Sequence, residues 1–167
     1  LLRIVNMPGM SAAEAKMAFR YEFENYFPFP LEEGIFDLAQ IEYPLPNNTV
    51  DKRFLVAATR LSMVENITKY AEMSGFTVAS IEPAQIAIER AVTPMVPLSN
   101  ASVYVYAGRS RSVLILSWKG NGVFYRSMSI GFDNIIDNND ASSAVVPQYV
   151  AFAKEVRSSL QFALSQI

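Results

Sequence analysis

Apolar positions recur at two spacings along the chain, and the places where one gives way to the other mark out its elements. Residues 1–7 read as a strand ending at Met7-Pro8. Ser11-Ala-Ala-Glu14 is a capping box: the Ser11 hydroxyl can accept from the orphan backbone N–H of Glu14, while Glu14 reaches back to the Ser11 N–H. The helix it opens is predicted over residues 12–26, with Ala15, Ala18, Phe19, Glu22 and Tyr26 on one stripe and Lys16, Arg20 and Glu24 on another. Phe27-Pro28-Phe29-Pro30 ends that helix, because proline lacks the backbone donor and drives the residue before it to extended geometry. Two strand-like runs, residues 34–43 and 50–59, flank the turn formers Pro44-Leu-Pro-Asn-Asn48 and predict a β-hairpin with a wide loop.

A second capping-box signature, Ser62-Met-Val-Glu65, introduces Met63, Val64, Ile67, Tyr70 and Ala71 at helical spacing, and Gly75 supplies the C-terminal cap. Residues 76–81 read as a short strand, and Pro83 as the first-turn proline of a helix reaching residue 92. Residues 93–100 carry two prolines, break all periodicity and form the best boundary in the chain. Beyond it, residues 102–106, 112–118 and 122–130 predict three antiparallel strands, the last pair joined by Lys119-Gly-Asn-Gly122, whose Gly and Asn residues tolerate positive φ. Residues 133–143 read as a solvated loop. Pro147 opens a final helix with Tyr149, Phe152, Ala153, Val156, Leu160, Ala163, Leu164 and Ile167 along one face.

Composition narrows the function classes. A chain of 167 residues can bury one sizeable core or two small ones. Its 14 basic and 16 acidic residues are scattered, so the concentrated positive field that collects nucleic acid is missing, and no nucleic-acid partner is expected. There is no cysteine and no histidine, which removes thiolate chemistry, imidazole bases and the commonest metal ligands. Glu22 and Glu24 point to different faces of their helix and cannot share a proton. Asp137 and Asp140 lack the central glycine and closing glutamate of a calcium loop. No catalytic residue and no metal site is therefore assigned. No apolar run approaches the roughly 18 residues of a membrane span, so direct membrane insertion is not expected. The chain starts Leu-Leu-Arg inside a strand-like run and reads as an internal segment of something larger.

The run Arg20-Tyr-Glu-Phe-Glu-Asn-Tyr-Phe-Pro-Phe-Pro-Leu-Glu-Glu33 closely resembles the helix-to-Pro-Phe-Pro junction of the type IV pilus assembly protein PilM family. The likeness continues in order through Phe54-Leu-Val-Ala-Ala-Thr-Arg60, Met73-Ser-Gly-Phe76, Ile81-Glu-Pro-Ala-Gln-Ile-Ala-Ile-Glu-Arg-Ala91 and Gly122-Val-Phe-Tyr-Arg-Ser-Met-Ser-Ile-Gly131. The resemblance implies an α/β chain, α+β in an inserted subdomain: a partial actin/Hsp70-like ATPase fold with the small subdomain of the division protein FtsA. On that template residues 1–8 and 76–93 are remnants of the first lobe, 9–75 the inserted small subdomain, 94–100 a linker and 101–167 the start of the second lobe.

The same resemblance implies a cytoplasmic protein at the inner face of the membrane. It would bind nucleotide between its lobes and hold the cytoplasmic tail of the bitopic inner-membrane partner PilN. In the family the second lobe opens on a strand and an Asp-x-Gly turn facing phosphate. Here Gly108, Ser110 and Ser112 are the matching phosphate-loop residues, while Tyr106 stands at the aspartate position and cannot ligate magnesium as a carboxylate does. No cofactor is expected for this segment alone, which leaves ATP to the full-length protein. For the partner tail, the residues singled out are Glu22, to pair a basic residue, and Tyr26, Pro28, Phe29 and Pro30, with Phe29 expected to be exposed between its two prolines. An interaction scaffold is the reading favoured. The alternatives are a nucleotide-binding actin-like ATPase of pilus assembly and the cytoplasmic domain of a GspL-like secretion protein.

Overall fold

A computed structural model describes residues 1–42, 52–97, 100–133 and 145–165. The chain divides into two compact units, Leu1–Ala84 and Gln85–Ile167. The predicted turn at 44–48, most of the 133–143 loop and Ile167 lie outside the described residues.

In the first unit, β1 (Leu2–Met7), β2 (Gly34–Ile41) and β3 (Lys52–Arg60) form an antiparallel sheet in the order β1-β3-β2. The register sets Val5 opposite Phe54 and Phe36 opposite Ala58. Side chains alternate across a strand, so Val5 and Met7, Phe36 and Leu38, and Phe54, Val56 and Ala58 share one face. Helix α1 (Ala12–Tyr26) covers that face with Ala15, Phe19 and Phe23. Its capping box is formed as predicted, Ser11 and Glu14 bonding reciprocally. Phe19 and Phe23 are fully buried among Phe27, Phe29 and Phe36, with ring centroids 5.0–6.2 Å apart in tilted and edge-on pairs. Lys16 binds Asp37 on β2 at 2.7 Å, and that hydrogen bond holds the Asp37 carboxyl below the usual carboxylate range.

Strand β3 runs directly into α2 (Leu61–Met73), whose N-cap is Arg60 with no side-chain cap. The Ser62-Glu65 signature therefore lies inside the first turn and does not start the helix, because strand and helix join without the intervening turn that a cap closes. The other end follows expectation: the Phe76 N–H reaches the Ala71 carbonyl and the Gly75 N–H that of Glu72, with Gly75 at φ 82°, a Schellman closure. The predicted strand at 76–81 is absent. Phe76 and Ile81 are exposed, and no described strand lies alongside to complete a ladder.

In the second unit β4 (Ala101–Ala107), β5 (Ser112–Trp118) and β6 (Asn121–Met128) form the predicted antiparallel meander. Trp118 pairs with Asn121, so the β5–β6 turn has two residues, Lys119 and Gly120, both at positive φ. This is the hairpin geometry expected from the composition, set one residue earlier. Helix α3 (Ala84–Val92) meets Ser117, Tyr125 and Ser127, and α4 (Val145–Ser165) meets Phe124 and Arg126. Tyr125 and Ser127 alternate with Phe124 and Arg126 along β6, so the two helices cover opposite faces of the sheet. Central strand β5 is consequently buried along most of its length, with Leu114 and Ile115 inaccessible. On α4, Ser159 and Ala163 face inward, whereas Tyr149 and Leu164, both placed on the predicted apolar stripe, are exposed.

Candidate functional site

The first unit carries a groove of about 450 Å³ where the end of β3 passes into α2. Ala58, Thr59 and Arg60 come from the strand, and Ser62, Met63, Asn66, Ile67 and Tyr70 from the helix, with Leu1 and Phe29 completing the lining. Met63, Asn66, Ile67 and Tyr70 recur at three- and four-residue intervals, so they stand on one face of α2. No residue of α2 is buried, and Tyr70 is 64% exposed. A helix stripe that would ordinarily close a core is here left open to solvent within its unit. Such a surface, apolar with a few polar groups at its border, has the chemistry of a site for a short apolar segment.

Phe29 forms one wall of the groove, although it is only 9% exposed. The expectation of an exposed Phe29 is thus corrected: the two prolines extend the backbone and turn the ring inward, where it packs on Phe23 and Phe27. Arg60 lies over this ring, 5.3 Å from its centroid, and pairs with Glu33. Pro28 and Pro30 are exposed on either side of Phe29. Glu22 is exposed on α1 and accepts a hydrogen bond from Asn25 Nδ2 at 2.7 Å, and Tyr26 is half-buried against Phe19. Neither lines the groove. Of the five residues singled out from the sequence, the groove takes Phe29. It adds Met63, Ile67 and Tyr70, whose helical spacing was visible but whose exposure was not, and Asn66, which lay outside the predicted apolar stripe.

The second candidate site is the β4–β5 turn. The Gly108 N–H donates to the Arg111 carbonyl at 3.0 Å, and the Ser112 hydroxyl, fully buried, donates to the Ile130 carbonyl at 2.6 Å. The N–H groups of Phe132 and Asp133 donate to the carbonyls of Gly108 and Arg109, and the Asp133 carboxylate binds the Arg109 guanidinium at 3.0 Å. Ser110 and Arg111 are exposed at the tip, and Tyr106 is half exposed. Two of the three groups expected to face phosphate therefore already have partners, the Gly108 N–H within the turn and the Ser112 hydroxyl on the chain that follows β6. Among the described residues no cluster of acidic side chains is arranged to hold a metal ion, and no helix is long and apolar enough to cross a membrane.

The same fold occurs in the solved PilM–PilN type IV pilus biogenesis complex, with a TM-score of 0.79 at 21% identity over 100% of this chain and 56% of that one. This is an actin-like fold, of which the chain forms part. A second similar structure is the cytoplasmic domain of EpsL, an inner-membrane component of the type II secretion system of Vibrio cholerae, with a TM-score of 0.55 at 12% identity over 86% of this chain and 50% of that one. The chain thus spans about half the length of each of these proteins. No match was found among curated proteins. The sequence profile of the type IV pilus assembly protein PilM matches residues 2–134, and the chain belongs to the PilM family.

Proposed function

We propose that the chain is the partner-binding part of a cytoplasmic pilus-assembly scaffold, and that the groove between β3, Phe29 and α2 receives the short cytoplasmic tail of a PilN-like inner-membrane protein. The observation that carries this reading is the open apolar face of Met63, Ile67 and Tyr70 beside a wall already built by Phe29. Burying such a face against a partner releases water from apolar surface at about 25 cal/mol per Å² before association costs are met. Pro28 and Pro30 stiffen the adjoining backbone, so less order is lost on binding. Glu22, standing apart on α1, is the proposed contact for a basic residue of the tail.

The proposal includes little or no ATP hydrolysis. Tyr106 offers no carboxylate for a magnesium-bound water, and the donors of Gly108 and Ser112 are engaged by the carbonyls of Arg111 and Ile130. ATP binding in the full-length protein would have to draw on Ser110, Arg111 and groups outside this chain. The likeness to the EpsL cytoplasmic domain supports a second reading, a secretion-system protein using the same partner logic. A membrane-spanning helix following this segment in the full-length protein would favour it.

Variants of the groove test the reading. Ile67 and Tyr70 are exposed, so Ile67→Asp and Tyr70→Ser are expected to leave stability within about 0.5 kcal/mol. In the full-length protein each should weaken binding of the partner's tail peptide by about tenfold or more, as loss of a central apolar anchor does. Glu22→Lys should weaken it by a few-fold at most, with an effect that shrinks as salt rises. Wild-type affinity in both groove variants would exclude this surface as the docking site.

A further inference from the structure

Met63 carries a chemistry that docking of a tail does not by itself use. Of the seven methionines, Met7 and Met128 are buried, Met10 packs against the aromatic core, and Met17, Met73 and Met95 are exposed but stand outside the groove lining. Met63 combines the two properties: it is 56% exposed and it lines the groove. It stands one helical turn before Ile67 and two before Tyr70 on the open face of α2, so a segment held by those side chains also crosses its thioether.

The Met63 sulfur accepts from the Thr59 hydroxyl at 3.4 Å, across the junction of β3 and α2. A thioether is a weak acceptor and a polarizable, adaptable filler, which suits an apolar anchor. Its sulfoxide is polar and binds a hydroxyl donor more strongly, and Thr59 already presents one. The new oxygen would thus be held in the groove, where an apolar side chain of a docked segment would have to strip its hydration.

We infer that Met63 is an oxidation-sensitive modification site that switches the groove: hydrogen peroxide converts it to the sulfoxide, and the tail is released. The inference rests on the groove being the docking site. In the step the sulfur lone pair attacks one peroxide oxygen, and an S–O bond forms as the O–O bond breaks. The departing hydroxide takes the proton left on the new oxygen and becomes water. Sulfur is oxidised by two electrons and the peroxide is reduced by two. Attack needs access to the sulfur, which Met63 has within its unit and Met7 and Met128 lack.

The test treats the full-length protein with hydrogen peroxide, follows each methionine by peptide mass spectrometry, and adds the partner's tail peptide after the peroxide is removed. Once Met63 is converted, binding should weaken by about tenfold or more. Methionine sulfoxide reductases A and B together, one for each sulfur epimer, should restore it. Met63→Leu nearly conserves volume, so it should bind within about threefold of untreated wild type and lose no affinity to peroxide. A triple variant, Met17→Leu, Met73→Leu and Met95→Leu, retains Met63 and should respond as wild type does. Unchanged affinity with Met63 fully converted, or an equal loss in Met63→Leu, would overturn the inference. Ile67→Asp separates this from failure of the docking reading. Normal binding by that variant excludes the groove itself, whereas weakened binding there beside peroxide-insensitive wild type sinks the switch alone.

Discussion

Replacing Phe23 by alanine is expected to cost the first unit about 3–5 kcal/mol, the range for truncating a fully buried aromatic side chain. Phe23 contacts Phe19, Phe27, Phe29 and Phe36, so the cavity opens in the middle of the ring cluster and cannot be filled by one neighbour shifting. Gly34 sharpens the point: a Cβ there would lie 2.8 Å from the Phe23 ring, so the start of β2 is shaped to that ring. A domain of this size typically has a stability of only about 5–15 kcal/mol, and its melting temperature should fall by more than 10 °C, at roughly 4–8 °C per kcal/mol. Because Phe29 leans on the same cluster, the groove wall should loosen too, and tail affinity should drop although Phe23 itself does not line the groove. Differential scanning calorimetry of the variant measures the first effect; a decrease below about 1 kcal/mol would mean that the ring cluster is not the core.

Gly122→Ala is expected to be the most damaging change in the second unit. A methyl group at this position would fall inside van der Waals contact of both the Tyr125 hydroxyl and the Glu89 carboxylate. Residue 122 sits at a bulge, where Leu116 pairs with Phe124 and Ser117 with Gly122, leaving Val123 as the extra residue. That kink is what lets the phenol and the carboxylate meet above the backbone. The methyl group must either expel Tyr125 from its hydrogen bond or push β6 off β5, for a cost of about 3 kcal/mol when overpacking and a lost charged hydrogen bond are combined. In chemical denaturation the second unit should unfold earlier while the first is unmoved. A double variant with Glu89→Ala should be clearly sub-additive, since the two changes break the same contact. Full additivity would place the damage elsewhere.

What could be read along the sequence was whatever is encoded by neighbours. The Ser11-Glu14 box, the Gly75 cap, the paired strands β2 and β3 and the meander β4–β6 all appear where local spacing and turn chemistry put them. The errors have a common cause in contacts made at long range. Residues 76–81 have strand composition, but a strand needs a partner, and none of the described strands pairs there. Phe29 sits between two prolines that fix its backbone, yet its ring direction is set by Phe23 and Phe27. Glu22 satisfies the helical spacing of the stripe, but Ala15, Phe19 and Phe23 are the residues buried on this helix, the two rings against Phe36 of β2, which leaves Glu22 in solvent. Glu89 carried no local mark of burial at all; only the meeting of Ser117 and Tyr125 across two strands makes a site for it. In the candidate groove the stripe on α2 was legible as periodicity. That it remains open within its unit, and that Phe29 faces it from a different element, emerge only from the folded chain.

The central claim, that the β3–α2 groove receives the partner's tail, is tested most directly by site-specific photocrosslinking in the full-length protein. A photoreactive phenylalanine analogue placed at Tyr70 or Met63 probes the groove, and the same analogue at Tyr21, 91% exposed on α1, serves as the control. The tail peptide should be captured at positions 70 and 63 and not at 21. Capture at position 21, or binding with no capture from either groove position, would contradict the claim.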